Sequence, residues 1–431
     1  MSEYRRTGLV AAIEEMDLFE DTIEVPEGYD STEAANAIDE NMSDVLMDFE
    51  TLDHTAVVLE SLANLAIVLE RGKEITPKDI DLIKIVRQMA VAGTVTQDTA
   101  LLPSLENWNN GTIAQEAIGK DIMDSLQAVG AALKNAFNAL VDTIQSILVF
   151  YTSQGNVIRN LREEVKKMPS GTLSVKVKPT KYLKYGEDKK LVTTASEYVA
   201  EYEKMAHDLS LVIDALVDFQ ENDFFQSVKV FLSPVTGYEE KYQEILGYIE
   251  DLFNQVSKIS HFKEKKIVGA TYYRSDTYLG LSHIAIGKPN TTHKEGFFNT
   301  KIDKYAMVFA RDEKYEIGST QKITLDMDKE VALRLLAASE RLVKSYRKFT
   351  RVSQKLGQLG SLFNLTLMLK NAGQNPEGNL LLLLLKNYRA ILKTSGIITL
   401  MVGSSFNFSR GNVAKCNELI ENFTDQQSVG K

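Results

Sequence analysis

From residue 31 onward the apolar residues fall at helical spacing, through Val45, Leu46, Phe49, Val58, Leu62, Leu65 and Leu69. Such a series lies along one side of an α-helix, so the pattern predicts a long helix over roughly 31–70 with Ser31 at its N-cap. Ahead of it, "VPEGYDSTE" is loop-like, punctuated by Pro26 and Gly28. Thr76-Pro77 opens another predicted helix through Ile80, Ile83, Val86 and Met89, because proline suits the first helical turn. "TALLPSLENWNNGT" then gathers Pro, Asn and Gly, which marks a loop and the main organisational boundary of the chain.

Between Ile113 and Met168, residues Ile118, Ile122, Val129, Leu133, Phe137, Leu140, Ile144, Leu148 and Tyr151 recur as an amphipathic helix or helix pair requires. Leu161 and Val165 carry the pattern to a basic end that stops at Pro169. "TLSVKVKPTKYLKYGEDKK" switches to period two, Val175 and Val177 against Lys176 and Lys178, as in a short strand or hairpin. Helices are expected again over about 193–221 and 238–259. Residues 266–326 are β-branched and aromatic runs separated by turn residues. Past Asp328 the chain reads as helical to about Phe423, with breaks at Gly357, "NAGQNPEGN" and "SRGN".

The expected fold is therefore mostly α, an elongated multi-helix body with a small antiparallel β insertion. Four segments follow: a helical arm (1–106), a helical domain with a long amphipathic helix and a basic hairpin (107–265), the β-rich insertion (266–326) and a C-terminal helical region (327–431).

Six consecutive leucines, Leu380 to Leu385, raise the question of a membrane. A spanning helix needs about 20 mainly apolar residues, and Lys386, Arg389 and Lys393 interrupt this one. With Leu382, Leu385, Tyr388, Ile391 and Leu392 three or four apart, it reads as a core helix with a basic edge turned outward. No permanent span is expected. The first residues, "MSEYRRTGLVAAIEEMDLFE", carry acids where a secretory signal would be apolar.

Charge divides the chain. Residues 1–60 hold seventeen acidic residues against only Arg5 and Arg6, a net of −15 in a chain of −10. Residues 61–106 are close to neutral, which leaves residues 107–431 at +6. An acidic block of this kind is a solvating or interaction segment, or one that masks and can be removed.

Catalytic patterns are missing from the sequence. His54, His207, His261, His283 and His293 show no metal-ligand spacing, and Cys416 is the single cysteine. "GLSHIAIGKP" fails as a phosphate loop, with Ser282 where a glycine is needed and Pro289 after the lysine. No cofactor, metal or enzymatic activity is expected. Two basic features suit the phosphate backbone of nucleic acid without reading its sequence. One is Lys176, Lys178, Lys181, Lys184, Lys189 and Lys190 in the hairpin; the other is Arg334, Arg341, Lys344, Lys348, Arg351 and Lys355 along a helix.

An acidic helical arm, a Ser-Leu-Glu tripeptide in a loop, a long amphipathic helix with a basic end, a β-containing middle and a helical C-terminal half follow in order. This layout resembles the internal head (inner-body, or ejection) proteins of giant tailed bacteriophages. The resemblance implies a non-enzymatic virion protein, made in the host cytoplasm, packed in the head with double-stranded DNA and other head proteins, and delivered with the genome. It also implies a propeptide that the phage maturation protease removes by cutting after Glu in Ala/Ser-x-Glu motifs. The matching residues are Ser104, Leu105 and Glu106. Ala12–Glu14, Ser31–Glu33, Ala114–Glu116, Ala195–Glu197 and Ala338–Glu340 also fit, but only Glu106 sits between Pro103 and an Asn/Gly-rich stretch, where an extended chain can enter a protease cleft. Two other readings stay open on the residues alone. One is a helical membrane-engaging or pore-forming protein that inserts 379–403, the other a cytosolic scaffold whose acidic arm recruits a basic partner.

Overall fold

A computed structural model describes residues 23–26, 28–70, 111–226, 228, 238–259, 262–267, 270–290, 301–311, 322–362 and 378–429. Its helices are α1 (Ser31–Glu70), α2 (Gly111–Lys167), α3 (Ala195–Asp218), α4 (Tyr238–Ser257), α5 (Lys329–Arg347), α6 (Phe349–Leu362) and α7 (Gly378–Val429). The strands are β1 (Leu173–Val177), β2 (Lys184–Tyr185), β3 (Lys190–Leu191), β4 (Lys263–Ile267), β5 (Ala270–Arg274), β6 (Ser282–Pro289), β7 (Ala306–Arg311) and β8 (Ile323–Met327). The described fold is mostly α, as the periodicity predicts. At 57 residues, α2 is about 85 Å long from its rise of 1.5 Å per residue, which makes the body elongated.

Helix ends follow local chemistry. Asp30 caps α1, its Oδ1 accepting from the backbone N–H groups of Thr32 at 2.7 Å and Glu33 at 3.1 Å. Ser31, expected as the cap, is instead the first helical residue. Thr194 caps α3 and Asp328 caps α5 in the same way. α2 ends two residues before Pro169, with Lys166 and Lys167 at the negative end of its dipole. At its C-terminal end α3 runs on into a single π-helical segment, Phe219–Phe224.

α7 is the axis of the molecule. α1 lies against both α7 and α2; α2 also contacts α5 and α6, α3 packs on α5, and α4 and β7 cover another side of α7. Along α2, Leu133, Phe137, Leu140, Ile144, Leu148, Tyr151, Leu161 and Val165 are all buried, so the predicted stripe is the stripe that meets the core. Leu384, Leu385, Tyr388, Ile391 and Leu392 are buried too, and among the described residues no helix is long and apolar enough to cross a membrane. The hydroxyl of Tyr346 and Ser409 are hydrogen-bonded at 3.0 Å, Tyr151 bonds the same serine, and the two tyrosine rings stack at 4.0 Å. A buried polar post thus ties α2 and α5 to α7.

Several expected breaks are not breaks. α6 passes through Gly357 and α7 through Ser409–Asn412 without interruption. In α7, Gly411 serves close approach: a Cβ there would collide with the Tyr182 ring and hydroxyl. The chain interrupts instead at Lys348, between α5 and α6. "NAGQNPEGN" lies outside the described residues save for Gly378 and Asn379, which begin α7.

Among the described residues the β structure is three antiparallel pieces. β4-β5-β6-β7 form one sheet in that order, β2 and β3 form a short hairpin, and β1 pairs with β8 from Leu173↔Met327 to Val177↔Ile323. So the period-two run around Val175 finds its partner about 150 residues on (Ser174 Oγ to Asp326 Oδ1, 152 apart in sequence). Lys386, Arg389 and Lys393 do not form an outward basic edge. Arg389 is 6% exposed and reaches Asp53 at 3.4 Å and Glu60 at 3.6 Å on α1, while Lys393 reaches Asp53 at 3.5 Å. Burying a guanidinium requires such carboxylates, and the acidic α1 supplies them.

Candidate nucleic-acid interface

β1 buries Val175 and Val177 and turns Lys176 to solvent, since alternate residues of a strand face opposite sides, and Lys178 just after the strand is exposed as well. Neither lysine forms an ion pair among the described residues. Lys181 lies over the Tyr182 ring at 5.2 Å. Lys184 begins β2, and Lys189 holds the left-handed position of the turn before β3, with φ 53°.

Lys190 is committed elsewhere. Its ammonium donates to Glu197 Oε1 at 2.5 Å and to the Tyr185 hydroxyl at 3.1 Å. The bond from Lys190 comes first among the causes that hold the Glu197 carboxyl down at about 2, followed by the backbone N–H of Thr193 and the Tyr185 hydroxyl. Glu197 is also the third residue of α3, where Thr194 Oγ1 accepts from its backbone N–H at 3.1 Å.

The helical set is divided. Arg334 makes a two-pronged contact with Glu203, 3.0 Å from Nε and 2.6 Å from Nη2. Lys348 donates to Asp214 at 2.8 Å, and Lys355 to the backbone oxygen of Glu221 at 3.0 Å. These three turn toward α3 and its π-helical extension as a ladder of pairs. Arg341 and Lys344 are exposed and Arg351 is half-buried, with no ion pair among the described residues.

β4 adds cations that the sequence analysis did not single out. Lys263, Lys265 and Lys266 are exposed on the outer strand of the sheet. Lys263 pairs with Glu187 at 2.7 Å, and the backbone N–H of Gly186 donates to Thr277 O at 2.9 Å, so the β2–β3 turn lies beside β4 and the residues that follow β5. Lys263 and Lys265 stand opposite Arg274 and Tyr272 in register, which puts the four on one face. Tyr272 is 45% exposed there. The signal was the alternation in "KEKKI", which sits astride the expected segment boundary at 265.

A family model described as "phiKZ-like phage internal head proteins" matches residues 20–326 of the 431. The chain belongs to this family. No curated protein and no solved structure matches it. The matched region of this internal head protein runs from before α1 into β8 and ends just before α5. Its family membership gives it a structural role in the phage head.

Ser104, Leu105 and Glu106 lie outside the described residues, as does Ala12–Glu14. The other Ala/Ser-x-Glu tripeptides of this internal head protein are all helical: Ser31–Glu33 in α1, Ala114–Glu116 in α2, Ala195–Glu197 in α3 and Ala338–Glu340 in α5. Glu197 is held by Lys190, and Glu340 accepts from Arg162 Nη1 at 2.6 Å. A protease would have to unwind each of these helices locally to reach them.

Among the described residues no group of three or more His, Cys, Asp and Glu could hold a metal ion. Cys416 is fully buried, and burial pushes its thiol up to about 12, far from a nucleophilic thiolate at neutral pH.

Proposed function

We propose that this internal head protein is a non-enzymatic structural component packed against double-stranded DNA inside the head, touching phosphates without reading sequence. The observation that carries the reading is the set of outward cations with no carboxylate partner among the described residues, Lys176 on β1, Lys178 just past it, and Arg341 and Lys344 on α5, in a trunk whose net charge past residue 106 is +6. Lys181, Lys184 and Lys189 are half-buried cations nearby, and of the β4 lysines Lys263 and Lys266 are paired with Glu187 and Glu264, so these are secondary contributors; Lys190, Lys348 and Lys355 serve first to neutralise α3 and its π-helical extension, and Arg351 is a lesser contributor. Protein recovered from virions is expected to retain double-stranded DNA on a filter at low salt and to release it steeply as salt rises. No retention at low salt would end the DNA reading.

The same proposal includes processing. The maturation protease cuts after Glu106 in Ser104-Leu105-Glu106, leaving a trunk beginning at Asn107 that travels with the genome. Support comes from the sequence context of Pro103 and Asn107–Gly111, and from the helical placement of the other described tripeptides. Mass spectrometry of purified particles should find peptides that start at Asn107. Abundant peptides spanning Glu106–Asn107, with none starting at Asn107, would remove the processing step.

A further inference from the structure

Arg389, Gly396, Gly403 and Arg410 recur every seven residues along α7, which sets them in one stripe. α1 meets that stripe in the reverse direction. Arg389 reaches Asp53 and Glu60, Gly396 lies against Phe49, Gly403 lies against Met42, and Arg410 pairs with Asp39. As α7 numbers rise the α1 numbers fall, so the helices are antiparallel.

Two glycines inside a long helix weaken it unless something else requires them. Close approach requires glycine at 403, where Met42 seats directly on the α7 backbone, whereas at 396 a Cβ would make only ordinary contact with Phe49. A Cβ at Gly396 would lie 3.9 Å from that of Phe49, and one at Gly403 would collide with the Met42 side chain. Ile38, Val45, Leu52 and Leu59 of α1 are buried as well, in a helix that packs on both α7 and α2. The arginines at either end fix register, because sliding α1 by a turn would pull their carboxylates away. The stripe therefore recognises a definite ligand: an antiparallel amphipathic helix with two large apolar residues seven apart between carboxylates.

We propose that the Arg389–Gly396–Gly403–Arg410 stripe is a docking site for an acidic amphipathic helix, occupied by α1, and that severing the chain between residues 71 and 110 leaves α1 docked as a non-covalent subunit. The inference deepens the processing reading and rests on the packing of α1 against α7, beside which α2 also lies against α1. A cut removes the covalent link and none of the apolar seat. Shedding the acidic arm then takes a second event, the unfolding or further digestion of α1, and until that event Arg389 and Arg410 stay covered.

The test uses the full chain with the recognition sequence of a specific protease inserted within 71–110, cut to completion and run on size exclusion and native mass spectrometry. Both pieces should travel together at physiological and at molar salt, because burial is not screened as exposed charge is. An N-terminal piece that elutes alone at physiological salt overturns the proposal. Gly403→Leu, which wedges the helices apart, should lower retention after cutting by about tenfold, with the uncut variant checked for native circular dichroism. Arg410→Asp should also weaken retention, and adding Asp39→Arg should restore it. Unchanged retention in Gly403→Leu, or no restoration by the swap, would show that the stripe is not what holds the arm. Virion peptides report separately on Glu106, so an uncut Glu106 would leave this result standing.

Discussion

The α1–α7 contact and the contact of α3 with α5 and α6 both join an acidic helix to a basic one, and they are built differently. Between α1 and α7, Arg389, Asp53 and Glu60 have side chains 7%, 17% and 8% exposed, set beside glycines that admit Phe49 and Met42. Between α3 and its partners, Arg334–Glu203 and Lys348–Asp214 lie at the surface, with Arg334 48% and Lys348 36% exposed. Charge in the first contact is desolvated, so losing one partner strands the other. In the second, water takes over from a lost partner.

Arg389→Ala should have the largest effect, about 3–5 kcal/mol of stability lost, because Glu60 loses the guanidinium in a dry interface and Asp53 keeps only the Lys393 ammonium at 3.5 Å. Chemical denaturation reads it, and a loss below 1 kcal/mol would put this contact in the same class as the surface ladder. Phe49→Ala, which empties the seat over Gly396 and the edge contact with Phe137 at 5.4 Å, should lose about 3 kcal/mol or more. Lys348→Ala should move stability by less than about 1 kcal/mol, and its effect should shrink further in high salt. A change of several kcal/mol there would erase the contrast.

The smallest effect concerns acid. Glu197 is held at about 2 in the folded protein, below the usual value near 4.3 for an unfolded glutamate. The unfolded chain thus binds the proton first; the stabilisation is complete above about pH 5 and fades as pH falls towards 2. The Glu197 side chain is 17% exposed but its Lys190 partner is 58% exposed, so water screens part of the pair and the change is modest. Denaturation midpoints measured from pH 6 to 2 should fall less steeply in Glu197→Gln than in the parent, and parallel curves would deny Glu197 this role.

Helices and their faces were legible in the sequence because burial repeats with the local period: the stripe from Leu133 to Tyr151 needed no tertiary knowledge. Partners were not. Val175 and Val177 announce a strand, yet nothing local says that Ile323–Met327 pairs with it. Ser409–Asn412 and Gly357 read as breaks because glycine loosens an isolated helix, whereas in α7 the glycine backbone is what other side chains rest on. The same limit applies to the candidate interface. Spacing put Arg334, Arg341, Lys344, Lys348 and Lys355 on one helix region, but only the neighbouring α3 decides which are spent on Glu203, Asp214 and Glu221. The layout of acidic arm, long helix and β-containing middle was enough to find the family, since it depends on order rather than on contacts.

Synthesis gives the α1–α7 contact a timing. Asp53 and Arg389 are 336 residues apart, and Asp39 and Arg410 are 371 apart. At roughly 5–20 residues per second on a ribosome, α1 waits about 20–70 s for its seat to be made. For that interval Met42, Phe49 and Leu52 have no α7 to cover them. The many carboxylates of the first 60 residues then keep a nascent greasy helix from sticking to its neighbours, before any of them meets an arginine.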